Sequence, residues 1–282
     1  MTIADENRNG HFQSMSSRRV RIRTVWHQLA IAALVLVLPT AFLTDRTAHS
    51  TALQRSAATT RPLALVYRGP ISCSGCSEAA ASMLKNSPAR FRIRYVGPKE
   101  KIKRTAAAFV GATVYVQPGG MQEISTANKL LGKSARKAIR NFVKSGGRYL
   151  GICMGGYLAG SGPGMGLLAP GNSYQYVGSK GAAAKTTADT VIPITFNGKK
   201  RMVFFQDGPY FTATQRKGEK VIARYTNGKI AALVTPYGKG RVGVIGPHPE
   251  ATRSWYTAAM WKKDKDRADA ALGYSLVAAL MK

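Results

Sequence analysis

The chain has 282 residues, of which 45% are hydrophobic and 20% charged, so it can bury a substantial core as one large domain or two small ones. Its charge is lopsided: 42 Lys and Arg against 13 Asp and Glu give +29, which reads first as a solvated basic surface and otherwise as a field for anionic partners, an anionic envelope polymer among them. Neither Cys/His finger spacing nor an aromatic-rich recognition strand accompanies that charge, so no specific nucleic-acid partner is expected.

Residues 1–60 hold seven Arg and three acids, which leaves +25 of the charge on the rest of the chain. Arg18, Arg19, Arg21 and Arg23 precede a stretch from Thr24 to Thr44 without Asp, Glu, Lys or Arg. Its centre, Leu29 to Leu38, is wholly apolar, and Pro39 interrupts it. A basic segment followed by a short apolar run predicts export, with residues 1–44 acting either as a cleaved signal peptide or as an uncleaved membrane anchor. The Arg cluster stays on the cytoplasmic side in either case, which places the remainder in a periplasmic or other extracytoplasmic compartment. Residues 45–61, rich in Thr, Ala, Ser and Arg, read as a disordered linker, and residues 62–282 as the folded domain.

Leu63–Tyr67 reads as a buried strand that ends at Gly69-Pro70. A helix is predicted over Ser77–Lys85, with Ser77 as its cap and Glu78 in its first turn. Phe91–Val96 is a second strand, Glu100–Phe109 a helix, and Thr113–Gln117 a third strand stopped by Pro118-Gly119-Gly120. Ser134–Ser145 has helical spacing (Ala138, Ile139, Phe142, Val143) and ends at Gly146-Gly147. Tyr149–Ile152 is a fourth strand leading into Cys153. This alternation predicts a mostly parallel sheet with helices on both faces. Beyond about Thr186 the pattern changes to strands at Val191–Phe196, Met202–Gln206, Val221–Tyr225, Ile230–Thr235 and Val242–Ile245, several of them separated by Asn-Gly or Gly-containing turns. They form an antiparallel insertion or extension that returns to the main sheet before His248. Residues 264–280 are the expected closing helix.

The segment Tyr149-Leu150-Gly151-Ile152-Cys153-Met154-Gly155-Gly156 has the form of a strand-to-helix elbow whose nucleophile is sulfur. Glycines flank the turn because it is too tight for side chains, and the thiol sits at a helix N-terminus, where the dipole favours the thiolate. A cysteine nucleophile needs a base, and the base an orienting group; Gly246-Pro247-His248-Pro249-Glu250 offers both. In extended backbone His248 and Glu250 point the same way, and Pro249 stiffens the link. The amides of Met154 and of Gly119 or Gly120 are the candidate oxyanion donors. Tyr157, Asp207 and Gly208 are candidate pocket residues, with a plain turn as the alternative at Asp207-Gly208. Cys73-Ser74-Gly75-Cys76 is expected to form a local disulfide; a redox dithiol and a metal-ligating pair are the alternatives, and a four-cysteine zinc site is excluded because only Cys153 remains. Trp255, Tyr256 and Trp261 read as packing residues. No cofactor and no metal enter the expected site.

The order Pro118-Gly119-Gly120, Gly151-Ile152-Cys153-Met154-Gly155, His248-Pro249-Glu250 resembles that of class I glutamine amidotransferases. Within them, Val66-Tyr67-Arg68-Gly69-Pro70 and the run from Gly146 to Cys153 resemble the N-terminal domain of biotin–protein ligases, which stand-alone bacterial proteins share. The resemblance covers about residues 63–255. It implies a flavodoxin-like three-layer sandwich and a Cys153, His248, Glu250 triad. The chain carries Gly156-Tyr157 where glutaminase sites usually carry Gln or His, so glutamine itself is not the expected substrate. Three functions follow: an exported cysteine hydrolase or amidase acting on a small-molecule or peptide-like substrate, a non-catalytic envelope module that keeps the pocket as a ligand site, and a thiol–disulfide protein using Cys73 and Cys76.

Overall fold

The computed structural model describes residues 61–160, 162, 164–169, 171–267 and 269–282. The expected signal or anchor at 1–44 and all of the linker except Arg61 lie outside the described residues. Arg61 itself belongs to the fold, since its guanidinium donates to the carbonyl of Phe91 at 3.1 Å.

In chain order the elements are β1 (Leu63–Tyr67), α1 (Cys76–Asn86), β2 (Arg92–Val96), β3 (Val114–Gln117), α2 (Ile124–Leu131), α3 (Lys133–Lys144), β4 (Arg148–Ile152) and α4 (Met154–Ala159). There follow β5 (Ser173–Gln175), β6 (Thr190–Phe196), β7 (Lys199–Phe205), β8 (Pro209–Phe211), β9 (Lys220–Tyr225), β10 (Ile230–Tyr237), β11 (Gly240–Ile245), α5 (Ala258–Lys263) and α6 (Asp269–Met281). One sheet runs β2-β1-β3-β4-β11-β10-β9-β6-β7, with β8 pairing β10 and β5 pairing β8 at its side. The strands from β2 to β11 are parallel, and from β10 onward the pairing is antiparallel. The expected return of the chain to the main sheet is the parallel pairing of β11 with β4, which sets Ile245 beside Ile152.

The central strands are buried on both faces, and their side chains alternate between two cores. Ala64, Val66, Val114, Val116, Leu150 and Ile152 pack toward α1 and α6, while Leu65, Tyr67, Tyr115 and Tyr149 pack toward α2, α3 and α4. Helix α3 shows why one face suffices: Ala135, Ile139 and Val143, spaced by four, are its buried residues, and its other side carries the charge. The result is a three-layer α/β sandwich with an antiparallel β extension.

Several expected elements differ. Ser77 does not cap α1: the helix begins at Cys76 behind Gly75 at φ 77°, and the Ser77 hydroxyl donates instead to the carbonyl of Tyr67 at 2.8 Å. Residues 100–109 are not one helix but an irregular segment ending in a 3-10 turn at Ala106–Phe109. Tertiary contacts override the local propensity there, because Ile102 bridges Val96 and the Glu100 carboxylate is taken by Arg68 at 2.7 Å. The closing helix starts at Asp269, after a separate short helix α5, because Asp264 ends that helix and accepts from the amide of Arg267.

Candidate active site

Strand β4 delivers Cys153 to the sheet's C-terminal edge, and the chain then turns sharply into α4. Cys153 adopts φ 49° and ψ −108°, which is outside the regions open to an ordinary side chain and costs about 1–3 kcal/mol. The surrounding glycines are required by close approach: a Cβ on Gly151 would lie 2.4 Å from the Gly155 carbonyl oxygen, and one on Gly155 2.0 Å from that of Gln117. The amide of Cys153 donates to Ile245 at 2.9 Å, so the elbow is tied to the end of β11, just ahead of His248.

His248 and Glu250 follow β11 in a wholly buried stretch. His248 Nδ1 and Glu250 Oε1 are 3.0 Å apart, and both side chains are sealed from solvent. The imidazole is wedged between aromatic rings: Trp255 meets it edge-on with centroids 5.5 Å apart, Phe204 at 5.9 Å, and the His248 amide donates to the Phe204 carbonyl at 2.9 Å. Burial pushes the His248 pKa down, but the Glu250 carboxylate and then the Cys153 sulfur favour the cation more strongly, and the net result lies well above the ordinary value.

Gly119 joins the two halves. A Cβ there would stand 2.5 Å from His248 Cε1 and 3.3 Å from Cys153 Cβ, so the imidazole and the thiol flank one glycine. Gly120 is held equally closely, with its Cβ direction 1.7 Å from the Ile71 carbonyl oxygen. The Cys153 thiol donates to the Gln206 carbonyl at 3.4 Å, and His248 Nε2 is buried without a hydrogen-bond partner. At the start of α4 the amides of Gly156 and Tyr157 both reach the Cys153 carbonyl, whereas Met154 lies in the first turn, where amides lack an intrahelical acceptor.

The three candidate pocket residues also converge here. Asp207 sits at φ 43° after β7 and accepts from Gln175 Nε2 at 2.7 Å. Gly208 passes so close to β11 that a Cβ would meet the Gly246 carbonyl oxygen at 2.0 Å. Tyr157 is buried, and its hydroxyl pKa is raised by burial first and then by the nearby Asp207 and Cys153. Cys73 and Cys76 are disulfide-bonded, and the Cys73 amide donates to the Gly119 carbonyl at 3.2 Å, so this loop borders the same site.

The site neighbours that sequence reasoning missed are Phe204, Trp255, Gln175 and the Gln206 carbonyl. Trp255 and Tyr256 do pack, as expected, but Trp255 packs on the imidazole itself. The signal for Gln175 was absent because β5 is three residues long, too short for any periodicity. Among the described residues no group of three or more His, Cys, Asp or Glu is arranged to hold a metal ion.

Residues 63–163 match the family described as "Biotin-protein ligase, N terminal". The match runs from β1 past α4, includes Cys153 and ends before His248 and Glu250. No curated protein matches the chain. Among solved structures, the chain is similar to a glutamine amidotransferase at 17% identity, covering 75% of this chain and 98% of that one, with a TM-score of 0.47. It is similar to a cytoplasmic protein from Salmonella typhimurium LT2 at 13% identity, covering 78% and 100%, with a TM-score of 0.47. An exo-beta-1,4-mannosidase from Opitutaceae bacterium strain TAV5 matches at 13% identity, 83% of this chain and 38% of that one, again at 0.47. Strands β1 to β4 thus lie within the biotin–protein ligase N-terminal match, and β11, the parallel strand that brings His248 to them, lies beyond it.

Proposed function

We propose that the chain is an exported cysteine hydrolase of the glutamine amidotransferase-like type, an amidase that cleaves a C–N bond in a small-molecule or peptide-like substrate. One observation carries this reading: a buried His248, bonded to Glu250 at 3.0 Å, shares Gly119 with a cysteine held in a strained elbow. Glu250 fixes the ring by holding Nδ1, which leaves Nε2 to serve the sulfur. The thiol turns from the Gln206 carbonyl toward Nε2 and gives up its proton there. The thiolate then attacks the substrate carbonyl carbon, a C–S bond forms, and the carbonyl electron pair moves onto oxygen. The Met154 amide and an amide of Gly119 or Gly120 are the donors to that oxyanion. Collapse expels the amine, which takes the proton from His248. Water, deprotonated by His248, next cleaves the thioester and releases the acid and the free thiol.

Export rests on the Arg-rich segment and the apolar run from Leu29 to Leu38, and retention by an anionic envelope polymer rests on the +25 outside residues 1–60. A second reading, a ligand-binding module without turnover, is favoured by the depth of the site: Cys153 is 6% and His248 3% exposed.

The two readings separate in one experiment. The protein is incubated with a panel of chromogenic amides, and amine release is followed together with intact mass. The enzyme reading expects a thioester adduct on Cys153 and loss of amine release in Cys153→Ala by a factor of about 10³ or more. Amine release that survives Cys153→Ala removes that reading, and ligand binding without any release leaves the binding module.

A further inference from the structure

In a strongly basic protein, Asp207 directly follows the residue whose carbonyl accepts from the Cys153 thiol. Its neighbour Gln206 accepts from Cys153 at 3.4 Å, and Tyr157 feels both Asp207 and Cys153. No ion pair among the described residues involves Asp207; burial raises its pKa and the Gln175 amide, by bonding the carboxylate, opposes that rise. Gln175 takes Oδ1, so Oδ2 is left for another donor. Glu250 holds His248 through Oε1, and its side chain, with an unpartnered Oε2, is sealed from solvent, so it is not open to a ligand's cation.

The surroundings hold Asp207 in place. Gly208 is pressed onto the Gly246 carbonyl, the Pro209 carbonyl accepts from Tyr225 at 2.7 Å, and β8 is paired with both β5 and β10. A fixed carboxylate with one unused oxygen, one residue from the acceptor of the thiol, is a recognition group for a cation.

We propose that Asp207, steadied by Gln175, makes the Cys153 site selective for acyl compounds that carry a positively charged nitrogen a few bonds from the scissile carbonyl, the class to which aminoacyl amides belong. This rests on Cys153 being the nucleophile of the proposed amidase. The overall field of the protein repels cations, so a preference for them at Cys153 must come from a local group.

The test uses three methanethiosulfonates that differ only in the transferred group: trimethylammonioethyl, methyl and sulfonatoethyl. Each reaction forms a mixed disulfide on Cys153 and releases methanesulfinate. Cys153 is the free cysteine, so labelling reports this position. Rates on the full chain are divided by those of a small thiol, and the cationic-to-anionic ratio is compared between variants. Wild type is expected to favour the cationic reagent, and Asp207→Asn, which keeps a residue tolerant of positive φ, is expected to lower the ratio by about tenfold. Gln175→Lys, at an exposed strand position, sets an ammonium against the same carboxylate and is expected to lower it likewise. A ratio that both variants leave unchanged, or a wild type that favours the anionic reagent, overturns the selectivity while the nucleophile reading stands. Failure of all three reagents to label Cys153 overturns both.

Discussion

At the scale of single residues, the site depends on what is missing at position 119. His248 and Cys153 can flank that residue only because it has no side chain; a methyl group would stand 2.5 Å from the ring carbon between the two nitrogens. Gly119→Ala should therefore leave the sheet intact and displace the imidazole. The expected outcome is a stability loss of about 1–3 kcal/mol in denaturant unfolding, the usual penalty for an overpacked site, together with slower thiol labelling. Unchanged stability and unchanged labelling would mean that the ring moves freely, and the close packing against Trp255 and Phe204 would have no consequence. Cys153, His248 and Glu250 could be singled out in the sequence because each lies in a short motif with its own chemistry, and the structure packs the first two around Gly119 and pairs the last two. Trp255 was read correctly as a packing residue, but its partner was not legible, since an aromatic residue announces burial and not what it is buried against.

At the scale of elements, strands were read more reliably than helices. Leu63–Tyr67 is a strand with the expected limits, because a continuous apolar run bounded by Gly-Pro leaves little choice. The helix expected at Glu100–Phe109 failed because Arg68 and Val96 claim its residues. Helix α6 was placed five residues early, and the first turn it does have carries a measurable consequence. Its first turn carries Asp269, which is buried and bonded to the Tyr256 hydroxyl. Burial lifts the pKa of this carboxyl to about 7, against the lowering effect of the Tyr256 bond, with Asp264, Asp266 and Glu250 adding to the rise. An unfolded Asp titrates near 3.9, so between about pH 4 and 7 the folded state holds a proton that the unfolded state has released. Stability from this group is greatest below that window and falls as the pH rises through it. The melting temperature of the wild type should drop between pH 5 and pH 8 more steeply than that of Asp269→Asn. Parallel profiles for the two proteins would contradict a raised Asp269.

At the scale of the whole molecule, the sandwich was legible as a class but its strand order was not. Alternating strands and helices imply a parallel sheet, and Asn-Gly turns imply hairpins, yet neither says that β11 returns to pair with β4. That pairing is the event that matters, because it carries His248 and Glu250 across nearly a hundred positions to the end of the strand that bears Cys153. The short β5 and β8, which supply Gln175 and frame Asp207, were invisible for the same reason that they are short. The most direct measurement is the rate of Cys153 alkylation by iodoacetamide at neutral pH, compared between wild type and His248→Ala with folding checked by circular dichroism. If the imidazole serves the sulfur, the variant reacts at least about tenfold more slowly. Equal rates in two folded proteins would show that His248 and Cys153 are neighbours without being partners.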